Sequence, residues 1–223
     1  ESENLNYYRN EGIISSKNKT KIKDTYNNNY SLDEFEYSKL TNVIKGKNVE
    51  FLENLKENYQ DYNIFIETGI GYGDTILNIE KEFKYLYTIE VQTKLIELVK
   101  SKYEGNKIEF ILGDSQKVFD ELLPKINENV IIFLDAHYSG GDTGYVNKHV
   151  PLYEELDKIN RLLKTKAILI IDDFRLFQQN RPCWKNITKE GVIKVINNRI
   201  SDIYHLPSNL CKDDRLEIHI NPI

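Results

Sequence analysis

From residue 62 onward the chain alternates short apolar, β-branched runs with amphipathic stretches, and this alternation constrains the fold more than any other feature. The runs occupy 63–67, 85–90, 108–112, 130–135 and 167–172, with helical spacing near 74–82, 92–103, 115–123 and 151–163 between them. Five strands joined by four helices predict an α/β fold with a doubly wound, mostly parallel sheet. A helix is expected near 189–199, followed by strands near 202–206 and 215–220. The short segment between these last two holds Pro207, Ser208 and Asn209 and has no room for a crossover helix, so they are expected as an antiparallel pair at the sheet edge. The expected total is seven strands.

The first 61 residues read differently. Polar clusters such as Lys17-Asn18-Lys19 and Asn27-Asn28-Asn29 interrupt any apolar period up to about residue 30. Two readings stand for this stretch: a flexible tail, or an arm that orders over a ligand or a second subunit, as Tyr7, Tyr8, Ile13 and Ile14 suggest. Ser31 with Glu34 three residues later has the form of a capping box, and Leu32, Phe35, Leu40 and Val43 would give that helix an apolar face. Phe51, Leu52 and Leu55 suggest a second helix. The expected organisation is an N-terminal helical extension over 1–61, made of a polar arm plus helices, and one domain over 62–223.

Composition excludes several classes. Lys and Arg number 30 against 35 Asp and Glu, a formal charge of −5, which gives no global field favouring nucleic acid. No apolar run approaches the roughly 20 residues that span a bilayer, and the polar start lacks signal-peptide character. Two cysteines, Cys183 and Cys211, are too few for a disulfide framework and lack zinc-site spacing. A cytoplasmic, reducing location is the expectation.

The chemistry lies where the strands end. Glu67, Glu90, Asp135 and Asp172 close four of the five parallel strands, and the third is followed by Gly113-Asp114. Ligands of open α/β sheets bind beyond the carboxyl ends of the strands, so these acids are expected around one crevice. The competing reading is that each acid caps the next helix. The first strand runs into Glu67-Thr68-Gly69-Ile70-Gly71-Tyr72-Gly73-Asp74-Thr75. Its G-x-G-x-G spacing is neither the G-x-G-x-x-G of dinucleotide binders nor a P-loop. A carboxylate beside the turn disfavours a polyphosphate and favours a cationic or neutral ligand.

These residues resemble the class I S-adenosylmethionine-dependent methyltransferases, whose first motif is an acid followed by G-x-G-x-G. The resemblance covers about 62–223 and implies a Rossmann-like methyltransferase sheet. It implies cofactor binding by Glu67, Thr68, Gly69, Gly71, Gly73, Asp74 and Thr75. Glu90 and Val91 would serve the ribose, Asp114 and Ser115 the adenine, and Asp135 the reacting end. Glu67 to Glu90 is 23 residues and Glu90 to Asp114 is 24, the length of one strand-helix unit each.

Asp135 and the Asp172-Asp173 pair are expected on adjacent strands, where three carboxylates repel unless a cation or a proton joins them. Hard oxygen ligands suit Mg²⁺ or Ca²⁺. The pattern is similar to the macrocin O-methyltransferase and cephalosporin-hydroxylase-like branch. That branch implies Mg²⁺ on Asp135, Asp172 and Asp173 and O-methylation of a small hydroxylated acceptor such as a sugar or nucleotide-sugar. His137 is the preferred base, with two alternatives: Asp135 serves as ligand and base, or His137 merely orders its loop. Tyr138, Asp142, His149 and Arg175 are candidates for acceptor contact, Arg175 being equally suited to brace Asp172 or Asp173. The loop over 138–150, with Gly140, Gly141 and Gly144, is long enough to be functional. Trp184 either stacks on a sugar face or fills a small core, and His205 and His219 are expected to be structural. The sequence lacks the N/D-P-P-Y/F motif of nucleic-acid amino methylation, so a nucleic-acid partner is not expected; an arm and an edge strand suit a homodimer. The alternatives are a metal-independent or N-methylating enzyme of the same fold, or a non-catalytic binding protein.

Overall fold

The computed structural model describes residues 52, 54–137, 150–179, 183–208 and 211–223 in full, and six strands before them by backbone alone. Those six are β1 (Leu5–Tyr8), β2 (Ile13–Ser16), β3 (Thr20–Lys23), β4 (Asn29–Leu32), β5 (Phe35–Ser38) and β6 (Val43–Gly46). β1-β2-β5-β6 form one antiparallel sheet, and β3 pairs with β4 in another.

The helix expected from Ser31 is therefore not formed. Ser31 pairs with Lys21 across β3 and β4, and Phe35 and Val43 lie in β5 and β6. The capping box was a local coincidence. The residues around it alternate with period two, as in Phe35-Glu36-Tyr37-Ser38, and are rich in the aromatic and β-branched types that suit a pleated surface. Of the second expected helix, Leu52 is helical and the helix does not reach Leu55. Residues 54–58 are turn and bend, and a 3₁₀ helix follows at Tyr59–Asp61, where the Asn58 side chain accepts from the Gln60 amide. Asn and Asp compete for backbone hydrogen bonds in this way, which shortens helices.

The main sheet holds β7 (Ile64–Thr68), β8 (Tyr85–Glu90), β9 (Ile108–Leu112), β10 (Val130–Leu134), β11 (Ala167–Ile171), β12 (Ile200–Leu206) and β13 (Arg215–Ile220). Its order is β12-β13-β11-β10-β7-β8-β9. The first five strands in sequence are mutually parallel, with Ile132 opposite both Ile66 and Leu169. β13 runs antiparallel to both its neighbours, β11 and β12. The expected antiparallel pair thus stands at that end of the sheet, with the last strand inserted one place in from the edge.

Among the described residues the helices are α1 (Asp74–Asn78), α2 (Thr93–Lys100), α3 (Ser115–Leu122), α4 (Leu152–Leu162) and α5 (Lys189–Ile196). Strand alternation sorts the core into two layers. Ile64, Ile66, Ile132, Leu134, Leu169 and Ile171 face α3, α4 and α5, meeting Phe119, Leu156, Ile159 and Val192. Phe65, Ile131, Phe133, Ile168 and Ile170 face the other way, onto Ile76, Leu95 and Val99 and onto Leu52, Leu55 and Tyr62. Because both faces are covered, β7, β10 and β11 are buried at every position. Burial at this density makes truncation of a central side chain such as Leu169 cost about 2–5 kcal/mol. No helix among the described residues is long and apolar enough to cross a membrane.

Candidate active site

Five parallel strands end at one rim, and β7 with β10 sets its centre. After Thr68 the chain must turn sharply, and it does so through three glycines with positive φ: Gly69 (+84), Gly71 (+51) and Gly73 (+84). A Cβ on Gly69 would lie 2.5 Å from the Asp135 carbonyl oxygen, so the turn rests directly against the chain leaving β10. Among the described residues nothing lies within 4 Å of a Cβ on Gly71. Asp74 and Thr75 open α1 behind the turn.

On one side of the turn lie the acids of the first three strands. Glu67 is buried and accepts a hydrogen bond from the Thr88 hydroxyl at 2.9 Å. Burial pushes its carboxyl well above the usual range; the Thr88 bond opposes this, and Asp135, Glu90 and Asp74 add to it. Glu90 is also buried, and its Oε1 accepts from the Val91 and Gln92 amides at 2.8 and 2.9 Å. Asp114 caps α3 by accepting from the Gln116 amide at 3.2 Å, and Ser115 is buried as the first residue of that helix. The helix-capping reading of the strand-end acids is therefore realised at Asp114, and in related form at Glu90.

Capping does not explain the other side. Asp135 Oδ1 lies 3.1 Å from His137 Nδ1, and His137 Nε2 lies 3.0 Å from Asp173 Oδ2. Both ring nitrogens face carboxylates, so both donate, and that requires the imidazolium form. Burial opposes the charge, but the bonds to Asp135 and Asp173 outweigh it and raise His137 to about 10. Burial also raises Asp135, against the pull of His137. Asp173 is lowered: burial resists ionisation, and His137 and Arg175 overcome it. Asp173 has φ +58, an unusual conformation for a side chain without glycine's freedom, and it is held there by these partners.

The two acids after β11 thus separate. Asp173 joins Asp135 and His137, and the ligating atoms of the three lie within 4.8 Å of one another. Asp172 instead pairs with Arg215 at 2.9 Å. Arg175 bridges Asp173 and Asp214 at 2.5 and 2.6 Å, the bracing alternative for that residue. Two carboxylates and an imidazole fit a divalent cation in donor type and spacing. The third member of the cluster is His137, with Asp172 held aside by Arg215.

Trp184 is buried, 5.3 Å from the His137 ring in an edge contact and stacked on Phe177 at 5.9 Å. It fills core space and supports the imidazole. His219 is enclosed by Glu57 and Glu217 away from the rim, whereas His205 stands level with the end of β11, where it meets Lys189 and packs edge-on against Phe174 at 4.8 Å. Tyr138, Asp142 and His149 lie outside the described residues.

Sequence reasoning missed Glu155. It lies in the first turn of α4, is 1% exposed, and lines a small pocket with Asp135, His137, Asp172 and Trp184. Burial lifts its carboxyl to about 7; the Ser115 and Thr68 hydroxyls oppose this, and Asp114 and Asp135 add to it. The signal was present in the helical spacing, since 155 falls on the apolar face with Leu152, Leu156 and Ile159.

No protein-family model matches the chain. A stretch of 68 residues is 31% identical to the "Probable ribosomal RNA small subunit methyltransferase A" of Pyrococcus abyssi, covering 30% of this chain and 25% of that protein. The chain therefore matches about a quarter of that relative's length. Among solved structures, the PH0226 protein of Pyrococcus horikoshii OT3 aligns over 78% of this chain and 89% of its own, at 18% identity and TM-score 0.54. The N-methyltransferase NodS of Bradyrhizobium japonicum aligns over 78% and 94%, at 13% identity and TM-score 0.52. SMU.1697c of Streptococcus mutans, solved in complex with S-adenosylhomocysteine, aligns over 78% and 94%, at 16% identity and TM-score 0.51. Strand order, glycine turn and these likenesses agree: the chain has the Rossmann-like fold of the class I S-adenosylmethionine-dependent methyltransferases.

Proposed function

We propose that the protein is an S-adenosylmethionine-dependent methyltransferase that methylates a hydroxyl of a small acceptor, a sugar or nucleotide-sugar, with the help of a divalent cation such as Mg²⁺. One observation carries the reading. The missing side chain of Gly69 sets the glycine turn against the Asp135 backbone, so the cofactor half and the acid cluster share one crevice. Glu67 and Glu90 suit a ligand that brings positive charge and hydroxyls, which a sulfonium nucleoside does. Among the described residues the space beside Gly71 is free for it.

In the proposed reaction the acceptor oxygen attacks the sulfonium methyl in line, the C–S bond breaks, and its electron pair stays on sulfur. Asp135 and Asp173 would hold the cation, with His137 joining them once it has given up a ring proton, and the cation would supply Lewis acidity that lowers the acceptor hydroxyl's pKa. The proton passes to the Asp135–His137 pair, which titrates as a unit. His137 in its described position already carries a proton on each nitrogen, so it accepts another only after giving one up. Asp135, raised by burial, is the better first acceptor. Arg215 holds Asp172 at the pocket wall, and Trp184 closes the apolar side.

The test is transfer of labelled methyl from S-adenosylmethionine to a panel of sugars and nucleotide-sugars, with and without excess chelator. Transfer to oxygen that falls at least tenfold in chelator and returns with Mg²⁺ is the expected result. Full activity in chelator would remove the cation from the account, and product methylated on nitrogen would replace the acceptor class.

A further inference from the structure

The two strands that carry the acids end in step. Leu134 of β10 pairs with Ile171 of β11, so Asp135 and Asp172 follow at the same level, and the Asp172 amide donates to the Leu134 carbonyl at 3.2 Å. Neighbouring strands lie about 4.8 Å apart, and both residues line the small pocket with His137. Asp172 is therefore placed beside Asp135, yet the cluster is completed by Asp173. The first residue of β13 makes the difference. Arg215 is buried, its Nε lies 2.9 Å from Asp172 Oδ1, and its guanidinium stands 5.7 Å from the centre of the Phe133 ring. Asp173 is held otherwise. The Arg175 Nη1 that meets its Oδ1 also lies 2.6 Å from buried Asp214, which shares that charge, and Asp173 Oδ2 stays with His137 at 3.0 Å.

Two carboxylates balance one divalent cation. A third would leave the crevice net negative and oppose an acceptor oxygen that gathers negative charge as its proton leaves. We propose that Arg215 is a positioning residue that holds the crevice to two cation-binding carboxylates, pairing with Asp172 so that Asp135 and Asp173 alone bring their charge to the ion. The inference rests on the cation-assisted reading above, and it assigns to β13 the choice between two consecutive acids. It carries a distinctive sign. Removing a brace weakens the site that it supports, whereas removing Arg215 strengthens cation binding, because Asp172 is left uncompensated beside Asp135.

Calorimetric titration of the full chain with Mn²⁺ alone tests it, using wild type, Arg215→Met and the double variant Arg215→Met/Asp172→Asn. Arg215→Met is expected to bind Mn²⁺ at least about tenfold more tightly than wild type, since a unit charge has been released within a few ångströms of the ion. The double variant, which removes both partners of the pair, is expected to return to within about threefold of wild type. Where Arg215→Met does not fold, Arg215→Gln, which loses the charge and keeps a donor toward Asp172, carries the same expectation. Mn²⁺ affinity that does not rise in the folded single variant overturns the inference, as does a gain that persists in the double variant. Failure of both Arg215 variants to fold makes Arg215 a brace of the sheet and overturns it too. Wild type that binds no Mn²⁺ removes the cation from the proposed function itself and takes this inference with it.

Discussion

At the scale of single residues, the side chains of the crevice divide by what compensates them. His137 owes its charge to two carboxylates, and that sets a pH dependence. Its folded pKa, about 10, lies above the ordinary value of 6.5. Its contribution to stability is therefore complete below about pH 6.5 and lost as pH rises through about 10. His219, also raised, changes stability in the same direction, so the comparison needs a variant rather than one curve. His137→Gln is expected to be about 1–3 kcal/mol less stable than wild type near pH 6.5, with the gap closing toward pH 10. Thermal melts of both proteins across that range check it; a gap that stays constant would mean that His137 is neutral in the fold. At this scale the sequence was partly legible. Asp135 and Asp173 were readable as strand-end acids, and His137 as their neighbour. The diversion of Asp172 was not, because its partner Arg215 is 43 positions away on β13. Pairing across a sheet leaves no local signal.

Secondary-structure elements were legible where burial on both faces wrote itself into the chain. β7, β10 and β11 are uninterrupted apolar runs because they lie between two helical layers. The strands of 5–46 were not legible, since four-residue segments with polar interruptions give too little period to outweigh a capping-box match at Ser31. Between elements, the tightest dependence is the contact of the glycine turn with the end of β10. Gly69→Ala would add a Cβ 2.5 Å from the Asp135 oxygen at φ +84. About 1–2 kcal/mol follows from the left-handed backbone alone, and the clash with main chain adds to it. The variant is expected to lose several degrees in Tm and at least tenfold in S-adenosylhomocysteine affinity, checked by melting and calorimetry. Wild-type affinity in a folded Gly69→Ala protein would mean that the turn does not shape the cofactor place.

For the whole molecule, the net charge of −5 understates the electrostatics. Glu67, Glu90, Asp114, Asp135, Glu155, Asp172 and Asp173 converge on one rim because parallel strands all end there. Arg215, Arg175 and His137 balance some of them, and the remaining negative charge suits ligands that bring cations. The fold itself leaves the chemistry open, since one scaffold serves many acceptors. The central claim is that this rim binds the sulfonium cofactor, and calorimetric titration with S-adenosylhomocysteine tests it most directly. Wild type is expected to bind one equivalent with micromolar affinity, and Glu90→Ala to weaken it at least tenfold. No binding by folded wild type, or binding indifferent to Glu90→Ala, would contradict the account.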